Sequence, residues 1–358
     1  MKNILLLSSA DCVHTLKWAN GLASRGLNVT LITQQQPLKG YVDSVNILAL
    51  PFTGKKGYIL NSFPLRNILR KHKFDCVNVH YVSGYGVLAR LAGLKGYVAS
   101  VWGADVYDFP KKSYFHKKVI ENTLNAAGVI CSTSKVMAEY VNANLSVDKK
   151  IKIYITPFGI NVSKFNNYED RIEGANIKIG TVKTLRPKYG IDILIKAFHI
   201  VQKDYSNVVL DIAGIGYQLE ELKELTAKLS LGDKVTFLGW VENDDVPKVL
   251  NTFDIYVAPS TLDSESFGVA ILEASACEVP VIVSDVGGLP EVVNHNETGI
   301  VVERNNVLEL SVAMRRLIDS SETRKRMGIN GRQHVLNNYE WESCVEKMVK
   351  IYEINTLK

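Results

Sequence analysis

The 358-residue sequence lacks several features, and each absence excludes a class of protein. No run reaches the roughly 18 apolar residues that a membrane span requires, so no spanning helix is predicted. The five cysteines are odd in number and far apart, without a CxxC pair. This pattern fits a reducing compartment better than a disulfide framework or a zinc site. The first residues, MKNILLLSSADCVH, predict a buried strand and not a signal peptide. We therefore expect a cytoplasmic protein.

Two signatures of cofactor and metal chemistry are also missing. The glycine-rich dinucleotide fingerprint is absent from SSADCVHT, which follows the first predicted strand. It is incomplete in AGIGYQL, where no third glycine follows Gly214 and Gly216, and this counts against an NAD-dependent enzyme. We find neither a DxD carboxylate pair nor another metal constellation in the sequence. The sequence therefore predicts neither a bound metal nor a cofactor.

Acidic residues are scarce in the first half of the chain. Residues 1–160 carry 20 Lys and Arg against 8 Asp and Glu, whereas residues 161–358 carry 22 against 29. Halves of opposite sign indicate two domains with different partners. The basic clusters of the first half are interleaved with aromatic residues, as in interfacial anchors. One interpretation is docking on the inner face of an anionic membrane; the other is that these lysines only solubilise a surface.

Short β-branched runs alternate with amphipathic helical stretches along both halves. The pattern runs from NILLLSS (3–9) to IYITP (153–157), and restarts from NIKIGTV (176–182) to TGIVVE (298–303). Runs that are hydrophobic throughout predict strands covered on both faces, and the helices between them predict parallel crossovers. The predicted fold class is α/β, with two doubly wound Rossmann-like domains facing across a cleft. The predicted boundary lies in the segment PFGINVSKFNNYEDRIEGAN (157–176).

The stretch SESFGVAILEASACEVPVIVSD (264–285) carries two carboxylates around a helix start. Glu265 precedes a helix opened by Phe267 and Gly268, and Glu273 lies in its apolar body. A buried carboxylate is costly without a partner, so Glu273 either pairs within the protein or meets a polar ligand. Free N–H groups at a helix start attract phosphate, and flanking carboxylates suit the diols of a sugar and a ribose. The alternative is a solvated Glu265 and an internal salt bridge for Glu273.

Further candidates follow other predicted strands. In TVKTLRPKYGID, Lys183, Arg186 and Lys188 could neutralise a diphosphate where no metal does so, or could simply be solvated. In the first domain, SVWGADVYD places Trp102 and Asp105 after a strand. Asp105 could hold a sugar hydroxyl or cap the following helix. His14, near the start of the first helix, could be functional or a structural hydrogen-bonder, and His80 carries no signal.

The segment VAPSTLDSESFGVAILEASACEVPVIVSDVGGLPEVVNHNETGIVV closely resembles the core of the retaining glycosyltransferases of family 4, which have the GT-B fold. The resemblance covers nearly all of the second half and is looser in the first, at HTLKWANGLASRGLNVTLIT and VWGADVY. WESCVEKMVKIYEI resembles the last helix of this fold, which crosses back onto the first domain. The resemblance implies an acceptor-binding domain (1–160), a nucleotide-sugar-binding domain (161–338) and a returning helix (339–358).

The resemblance also implies roles for matching residues. Glu265 would contact donor sugar hydroxyls, Glu273 the ribose diol, and Lys183 and Lys188 the diphosphate, with Arg186 as a substitute. Together with the candidates from the strand ends, the predicted catalytic residues are Glu265, Lys183, Lys188 and Asp105. The predicted donor-binding residues are Glu273, Phe267, Gly268, Val269, Gly214, Trp240, Val241 and Arg186. The acceptor side comprises His14, Trp102 and Asp105, although many members have a glycine-rich loop where this chain has SSADCVH and a histidine where it has Trp102.

The predicted function is a retaining, metal-independent transfer of a sugar from a nucleotide sugar to a hydroxyl of a glycan or lipid-linked glycan. The pathway would be synthesis of a bacterial cell-surface polysaccharide. Two alternatives stay open: a nucleotide-sugar epimerase of the same architecture, and an inactive nucleotide-sugar-binding protein. The predicted partners are thus a nucleotide sugar, a glycan acceptor and an anionic membrane, with no nucleic acid.

Overall fold

The computed structural model describes residues 2–168 and 176–355. Residues 169–175 of the predicted boundary segment and residues 356–358 of the predicted last helix lie outside the described residues. The chain forms two compact units: Met1–Gly159 with Glu342–Lys358, and Ile160–Trp341. In the described ranges, no helix combines the length and the apolar character that crossing a bilayer requires.

Within the described residues, the first unit contains a parallel sheet of seven strands in the order β3-β2-β1-β4-β5-β6-β7. Strands β4 and β5 are buried along their whole length, and β1 is buried after its first residue, because helices cover both faces. The strands are β1 (Asn3–Leu7), β2 (Asn28–Thr33), β3 (Asn46–Ala49), β4 (Cys76–His80), β5 (Tyr97–Val101), β6 (Ala127–Ser132) and β7 (Lys152–Ile155). The helices are α1 (Val13–Ser24), α2 (Gly54–Leu60), α3 (Ser62–Lys71), α4 (Val87–Leu91), α5 (Ala104–Tyr107), α6 (Tyr114–Leu124) and α7 (Lys135–Asn144).

The second unit repeats this plan with six parallel strands among the residues described, in the order β10-β9-β8-β11-β12-β13. The strands are β8 (Ile177–Val182), β9 (Val208–Ala213), β10 (Val235–Gly239), β11 (Ile255–Ala258), β12 (Val281–Ser284) and β13 (Gly299–Val302). The helices are α8 (Ile191–Gln202), α9 (Leu219–Lys228), α10 (Val246–Leu250), α11 (Val269–Ala276), α12 (Val307–Ile318) and α13 (Ser321–Asn338). The predicted α/β class with two parallel-sheet domains is confirmed.

The last helix, α14 (Trp341–Ile354), belongs mostly to the first unit. Its buried face carries Tyr352, whose hydroxyl accepts a hydrogen bond of 2.7 Å from the side-chain amide of Asn78 in β4. At its first turn, Glu342 pairs with Arg25, with 2.6 Å between the charged atoms. The first unit is therefore built from two separate stretches of the chain.

Both sheets have a topological switch point. This is the place where the strand order reverses, so that the loops following two neighbouring strands run in opposite directions. In the first sheet β1 lies between β2 and β4, and in the second β8 lies between β9 and β11. The loops that follow the two central strands diverge there and leave a crevice at the carboxyl ends of the strands. Ligands of open α/β sheets bind at such points.

Candidate active site

A cluster of one carboxylate and two ammonium groups lies at the switch point of the second sheet. Glu265, in the loop after β11, has Oε1 2.6 Å from Nζ of Lys183, which directly follows β8. Its Oε2 is 3.5 Å from Nζ of Lys188. The side chains of Lys183, Glu265 and Lys188 are 11%, 12% and 25% exposed. Because two cations share one anion, the cluster has an excess of positive charge.

The charges of this pair stabilise each other against burial. Burial alone would raise the pKa of Glu265, but the ammonium groups of Lys183 and Lys188 hold that pKa below its usual value. Burial alone would lower the pKa of Lys183, but Glu265, with the phenols of Tyr256 and Tyr189, raises it instead. Glu265 and Lys183 are therefore both ionised at neutral pH.

A short turn at Pro187–Tyr189 fixes the position of Lys188. The ring of Tyr189 lies 4.9 Å from the ammonium groups of both Lys183 and Lys188, within cation–π range. The turn ends at Gly190, which has φ +64°, and a Cβ there would lie 2.0 Å from the carbonyl oxygen of Pro259. The backbone N–H of Thr261 donates to the carbonyl of Lys188 at 2.8 Å. The Lys188 turn is thus tied to the loop that carries Glu265.

Gly214 lies against the backbone of Lys183. It follows β9 with φ +137°, and a Cβ would lie 1.9 Å from the carbonyl oxygen of Lys183. The structure thus places this predicted donor-binding residue beside the cluster, where its lack of a side chain lets two strand ends approach.

The start of α11 adds backbone donors next to Glu265. Gly268 has φ +86° at the N-cap, and no side chain caps the helix. Phe267 is buried with its ring 5.7 Å from that of Tyr339, and Val269 begins the helix. In the first turn the N–H of Ile271 donates to the carbonyl of Gly268 at 3.0 Å, whereas the N–H groups of Val269 and Ala270 precede the first intrahelical bond and favour an anion.

Glu273 is half-buried in the second turn of α11 and acts electrostatically on Tyr256 of β11. Burial raises the pKa of the Tyr256 phenol to about 12; Glu273 adds to this shift and Lys183 opposes it. The Tyr256 hydroxyl donates to the carbonyl of Val182 at 3.3 Å. Tyr256, which sequence analysis did not single out, therefore lies within the fields of both the cation cluster and Glu273.

Three predicted donor residues lie outside the ion-pair cluster. Arg186 is exposed in the stretch between Lys183 and Lys188. Trp240 follows β10 and is 64% exposed, with its indole N–H donating to Glu242 at 2.9 Å. Val241 beside it is half-buried.

The loop that carries Glu265 is braced by residues that sequence analysis missed. The guanidinium of Arg304 is 2.9 Å from Asp263 and 3.3 Å from Asp285. The N–H of Gly288 donates to the carbonyl of Glu265 at 3.0 Å. The one sequence feature that could have indicated these contacts is the glycine pair in SDVGG, because glycines allow two backbone segments to approach closely.

The residues predicted for the acceptor side meet at the switch point of the first sheet. The ring of His14 stacks on Phe158 at 4.1 Å and lies 6.0 Å from the ring of Trp102. His80, at the end of β4, has its ring 4.7 Å from that of Trp102. His80 Nδ1 is 3.0 Å from the hydroxyl of Ser8, just after β1. His80 was missed because a single histidine at a strand end has no distinguishing pattern.

Both histidines of this cluster are neutral at physiological pH. Burial, with the nearby charge of Lys17, lowers the pKa of His14 to about 4. Burial, with the neighbouring His14, lowers the pKa of His80 to about 3. The cluster is therefore aromatic and uncharged, in contrast to the cation cluster of the second unit.

Asp105 does not fit the catalytic and acceptor-contacting roles predicted for it. Its side chain is fully buried. It accepts hydrogen bonds from the backbone N–H groups of Val82 at 3.0 Å, Trp102 at 3.1 Å and Gly103 at 2.9 Å. Burial raises its pKa to about 6, and these backbone donors oppose the shift. Asp105 holds the loops after β4 and β5 together, which agrees with the alternative of a local structural role.

Among the residues described, no group of three or more His, Cys, Asp or Glu side chains could hold a metal ion.

Two parallel α/β units, with a cationic site at the switch point of the second, are what a glycosyltransferase of the GT-B fold requires, and comparisons with known proteins show the family. The family model "Glycosyl transferase 4-like" matches residues 3–134, and the model "Glycosyl transferases group 1" matches residues 165–334. The chain belongs to this family of glycosyltransferases. The predicted family and enzyme class are therefore confirmed, and this favours a transferase over an epimerase.

Relatives and solved structures resemble the chain over most of its length. It is 27% identical over 303 residues to an uncharacterized glycosyltransferase of Methanocaldococcus jannaschii, covering 83% of this chain and 80% of the relative. It is 26% identical over 302 residues to a GDP-mannose-dependent alpha-(1-6)-phosphatidylinositol monomannoside mannosyltransferase of Mycobacterium tuberculosis, covering 79% and 77%. Sucrose-phosphate synthase from Thermosynechococcus elongatus has a TM-score of 0.86 at 20% identity, covering 99% and 98%. Anabaena Alr3699/HepE, solved in complex with UDP, has a TM-score of 0.83 at 17% identity, covering 99% and 100%. At these sequence identities, the two solved structures support the fold alone.

Proposed function

We propose that the protein is a retaining, metal-independent glycosyltransferase that moves a sugar from a nucleotide sugar to a hydroxyl of a glycan or lipid-linked glycan, in the synthesis of a cell-surface polysaccharide. The observation that carries this proposal is the Lys183–Glu265–Lys188 cluster. Its excess positive charge lies beside the uncapped start of α11. Together they can stabilise a diphosphate without a metal ion.

The reaction breaks the bond between the anomeric carbon and the diphosphate oxygen, and the electron pair of that bond goes to the diphosphate. Lys183 and Lys188 stabilise the negative charge that develops there. The acceptor hydroxyl forms the new bond on the same face of the sugar, so configuration is retained. Its proton passes to an oxygen of the departing diphosphate. Catalysis then depends on charges that are already in place before reaction.

The remaining residues bind the parts of the donor that do not react. Glu265 contacts the hydroxyls of the transferred sugar, and Glu273 the ribose diol. The backbone of Phe267, Gly268 and Val269 meets the phosphates. In this proposal Trp240 and Val241 hold the base, and Arg186 is a substitute for the lysines on the diphosphate.

The direct test is a transfer assay with GDP-mannose and UDP-glucose as donors, because relatives and structural neighbours carry these nucleotides in their names. We expect one donor to be consumed, with equal rates before and after treatment with EDTA. Analysis of the product by NMR should show a retained anomeric configuration. A loss of activity in EDTA that magnesium or manganese restores would overturn the metal-free mechanism, and an inverted product would overturn the retaining one.

Replacement of Glu273 by alanine is expected to weaken donor binding by about 10- to 100-fold. The ribose diol would lose charge-assisted hydrogen bonds worth roughly 1.5 to 3 kcal/mol. Calorimetric titration with the nucleotide would measure the change. Glu220, an exposed residue of α9 paired with Lys223 at 3.0 Å, provides the control variant Glu220→Ala. Unchanged affinity in a folded Glu273→Ala protein would show that the ribose assignment is wrong.

We further propose that the first unit docks on the cytoplasmic face of an anionic membrane. The docking surface comprises the exposed apolar side chains of α2, α3 and α6, with Phe52 just before α2, and the basic residues around them. Its most exposed apolar members are Tyr114 (76%), Phe115 (73%), Phe63 (64%), Ile59 (61%), Leu60 (50%) and Phe52 (45%). Its basic members are Lys55, Lys56, Arg66, Arg70, Lys71, Lys73, Lys111, Lys112, Lys117 and Lys118.

This combination favours a lipid surface over a purely aqueous one. Large apolar side chains that are about half exposed or more can bury apolar area in the membrane interface, and the basic residues around them are attracted to anionic headgroups. Each basic residue near an anionic leaflet adds about 1 kcal/mol. The mycobacterial relative is named for a phosphatidylinositol mannoside acceptor, which supports a lipid-linked acceptor for this chain too.

We expect the protein to sediment with vesicles of phosphatidylglycerol and phosphatidylcholine, but not with phosphatidylcholine alone. Replacing Lys111, Lys112, Lys117 and Lys118 by serine should reduce binding at least tenfold. The control replaces four other lysines, Lys149, Lys150, Lys223 and Lys228, by serine. High salt should weaken binding strongly because the attraction is screened within a Debye length. Equal indifference to both vesicle types, or an equal effect of the two quadruple variants, would contradict the proposal.

A further inference from the structure

Tyr81 has an unusual backbone conformation for a bulky residue. It directly follows β4 with φ 62° and ψ 82°, in the left-handed region that an aromatic side chain rarely adopts. A π-helical turn, Val82–Gly86, begins at the next residue. The side chain of Tyr81 is nevertheless 39% exposed, so the strain does not serve to bury it in the core.

Neighbouring groups hold this conformation in place. The N–H of Tyr81 donates to the carbonyl of Ser100 in β5 at 3.0 Å. The N–H of Val82 donates to the buried carboxylate of Asp105 at 3.0 Å, and that carboxylate also accepts from Trp102 and Gly103. Asp105 therefore fixes the loop that carries Tyr81 and the loop that carries Trp102 relative to each other.

The position of this strained residue is where a ligand is expected. Tyr81 follows β4 and lies on one side of the switch point of the first sheet, opposite Ser8 after β1. Strained backbone and π-helical turns both concentrate at functional sites, because the surrounding structure must maintain them at a cost in stability. The turn places Val82 and Tyr85 in the core of this unit, whereas the strained residue Tyr81 is not part of that core.

We propose that Tyr81 contacts the acceptor, and that it forms with Trp102 an aromatic surface that takes a pyranose ring. This inference rests on the proposed glycosyl transfer. A pyranose presents an apolar face of C–H groups and a rim of hydroxyls, which an aromatic ring with a polar tip can match. The phenol of Tyr81 keeps its proton to donate to such a hydroxyl. Partial burial, followed by the charges of Asp105 and Asp108, raises its pKa to about 12.

The test uses octyl α-D-mannopyranoside and octyl β-D-glucopyranoside as pyranose acceptors, with 1-octanol as the acceptor that lacks a ring. The wild-type protein should glycosylate at least one octyl pyranoside and not 1-octanol. Tyr81→Gly should lower kcat/KM for that acceptor at least tenfold, mainly through KM, while the Kd of the nucleotide donor stays the same. Its melting temperature should stay within a few degrees of the wild type, because relief of the left-handed strain offsets the lost side-chain contacts and the greater chain entropy of glycine.

Ser230 provides the matched control, since it is an exposed residue of the second unit with φ 56°. Ser230→Gly should relieve the same kind of strain without changing kcat/KM for the acceptor. A Tyr81→Gly protein with unchanged kcat/KM, or a wild type that consumes donor without modifying either pyranoside, would overturn the acceptor assignment. A wild type that neither binds nor consumes any nucleotide sugar would instead refute the proposed function, and with it the basis of this inference.

Discussion

Replacement of Lys188 by alanine is expected to lower kcat by roughly 100- to 1,000-fold, the size of effect seen when a donor to a developing oxyanion is removed. The negative charge on the diphosphate grows as the donor bond breaks, so a fixed cation stabilises the transition state more than the ground state. The protein should remain folded because Lys183, at 2.6 Å, still pairs with Glu265. Steady-state rates at saturating donor would measure the loss.

Lys196 gives a control for this prediction in the same unit. It pairs with Asp192 of α8 at 2.7 Å, and its side chain is 46% exposed. Lys196→Ala removes the same charge from the chain but should leave kcat within twofold of the wild type. If Lys188→Ala and Lys196→Ala had equal rates, Lys188 would not act on the leaving group.

Replacement of Glu265 by alanine is expected to lower the free energy of unfolding by about 3 to 5 kcal/mol, in addition to abolishing most activity. Removing one partner of a buried ion pair leaves the other charge desolvated and uncompensated. Here the remaining charges are two ammonium groups, and Lys183 is only 11% exposed. Urea denaturation of the variant and the wild type under the same conditions would give the difference.

The matched control is Asp192→Ala, which removes the carboxylate of an exposed ion pair and should cost at most about 1 kcal/mol. Nucleoside diphosphate should restore part of the stability of Glu265→Ala, because its phosphates can replace the missing negative charge and binding stabilises the folded state. A Glu265→Ala protein as stable as Asp192→Ala would mean that the lysines do not depend on Glu265.

The sequence predicts the strands well because a buried parallel strand is a short, uninterrupted apolar run. It does not predict α13, whose buried face includes Gly328 and Gly331 and therefore shows no apolar stripe. These glycines let the helix approach closely: a Cβ on Gly328 would lie 2.1 Å from the carbonyl oxygen of Glu278. Helix α2 is missed for another reason, since Gly57 alone among its residues is buried.

The candidate site is predictable where residues of one motif act together, and less so where contacts join distant segments. The spacing of Glu265 and Glu273 identifies the α11 region, but no spacing reveals that Lys183 is the ion-pair partner 82 positions away. For Asp105, in contrast, the sequence suggested a ligand contact where the structure shows a structural role. An acidic residue after a strand looks available to a ligand, and only the structure reveals that three backbone N–H groups already surround it.

The return of α14 to the first unit has a consequence for biosynthesis. Asn78 in β4 can form its hydrogen bond with Tyr352 only after Tyr352, 274 positions later in the chain, has been translated. The first unit therefore cannot complete its folding on the ribosome until the whole second unit has been synthesised. The second unit is continuous from Ile160 to Trp341 and can fold as soon as it emerges. The unit that is synthesised first is therefore expected to complete its folding last. Until α14 has been synthesised, the surface that this helix covers in the folded protein would be accessible to chaperones.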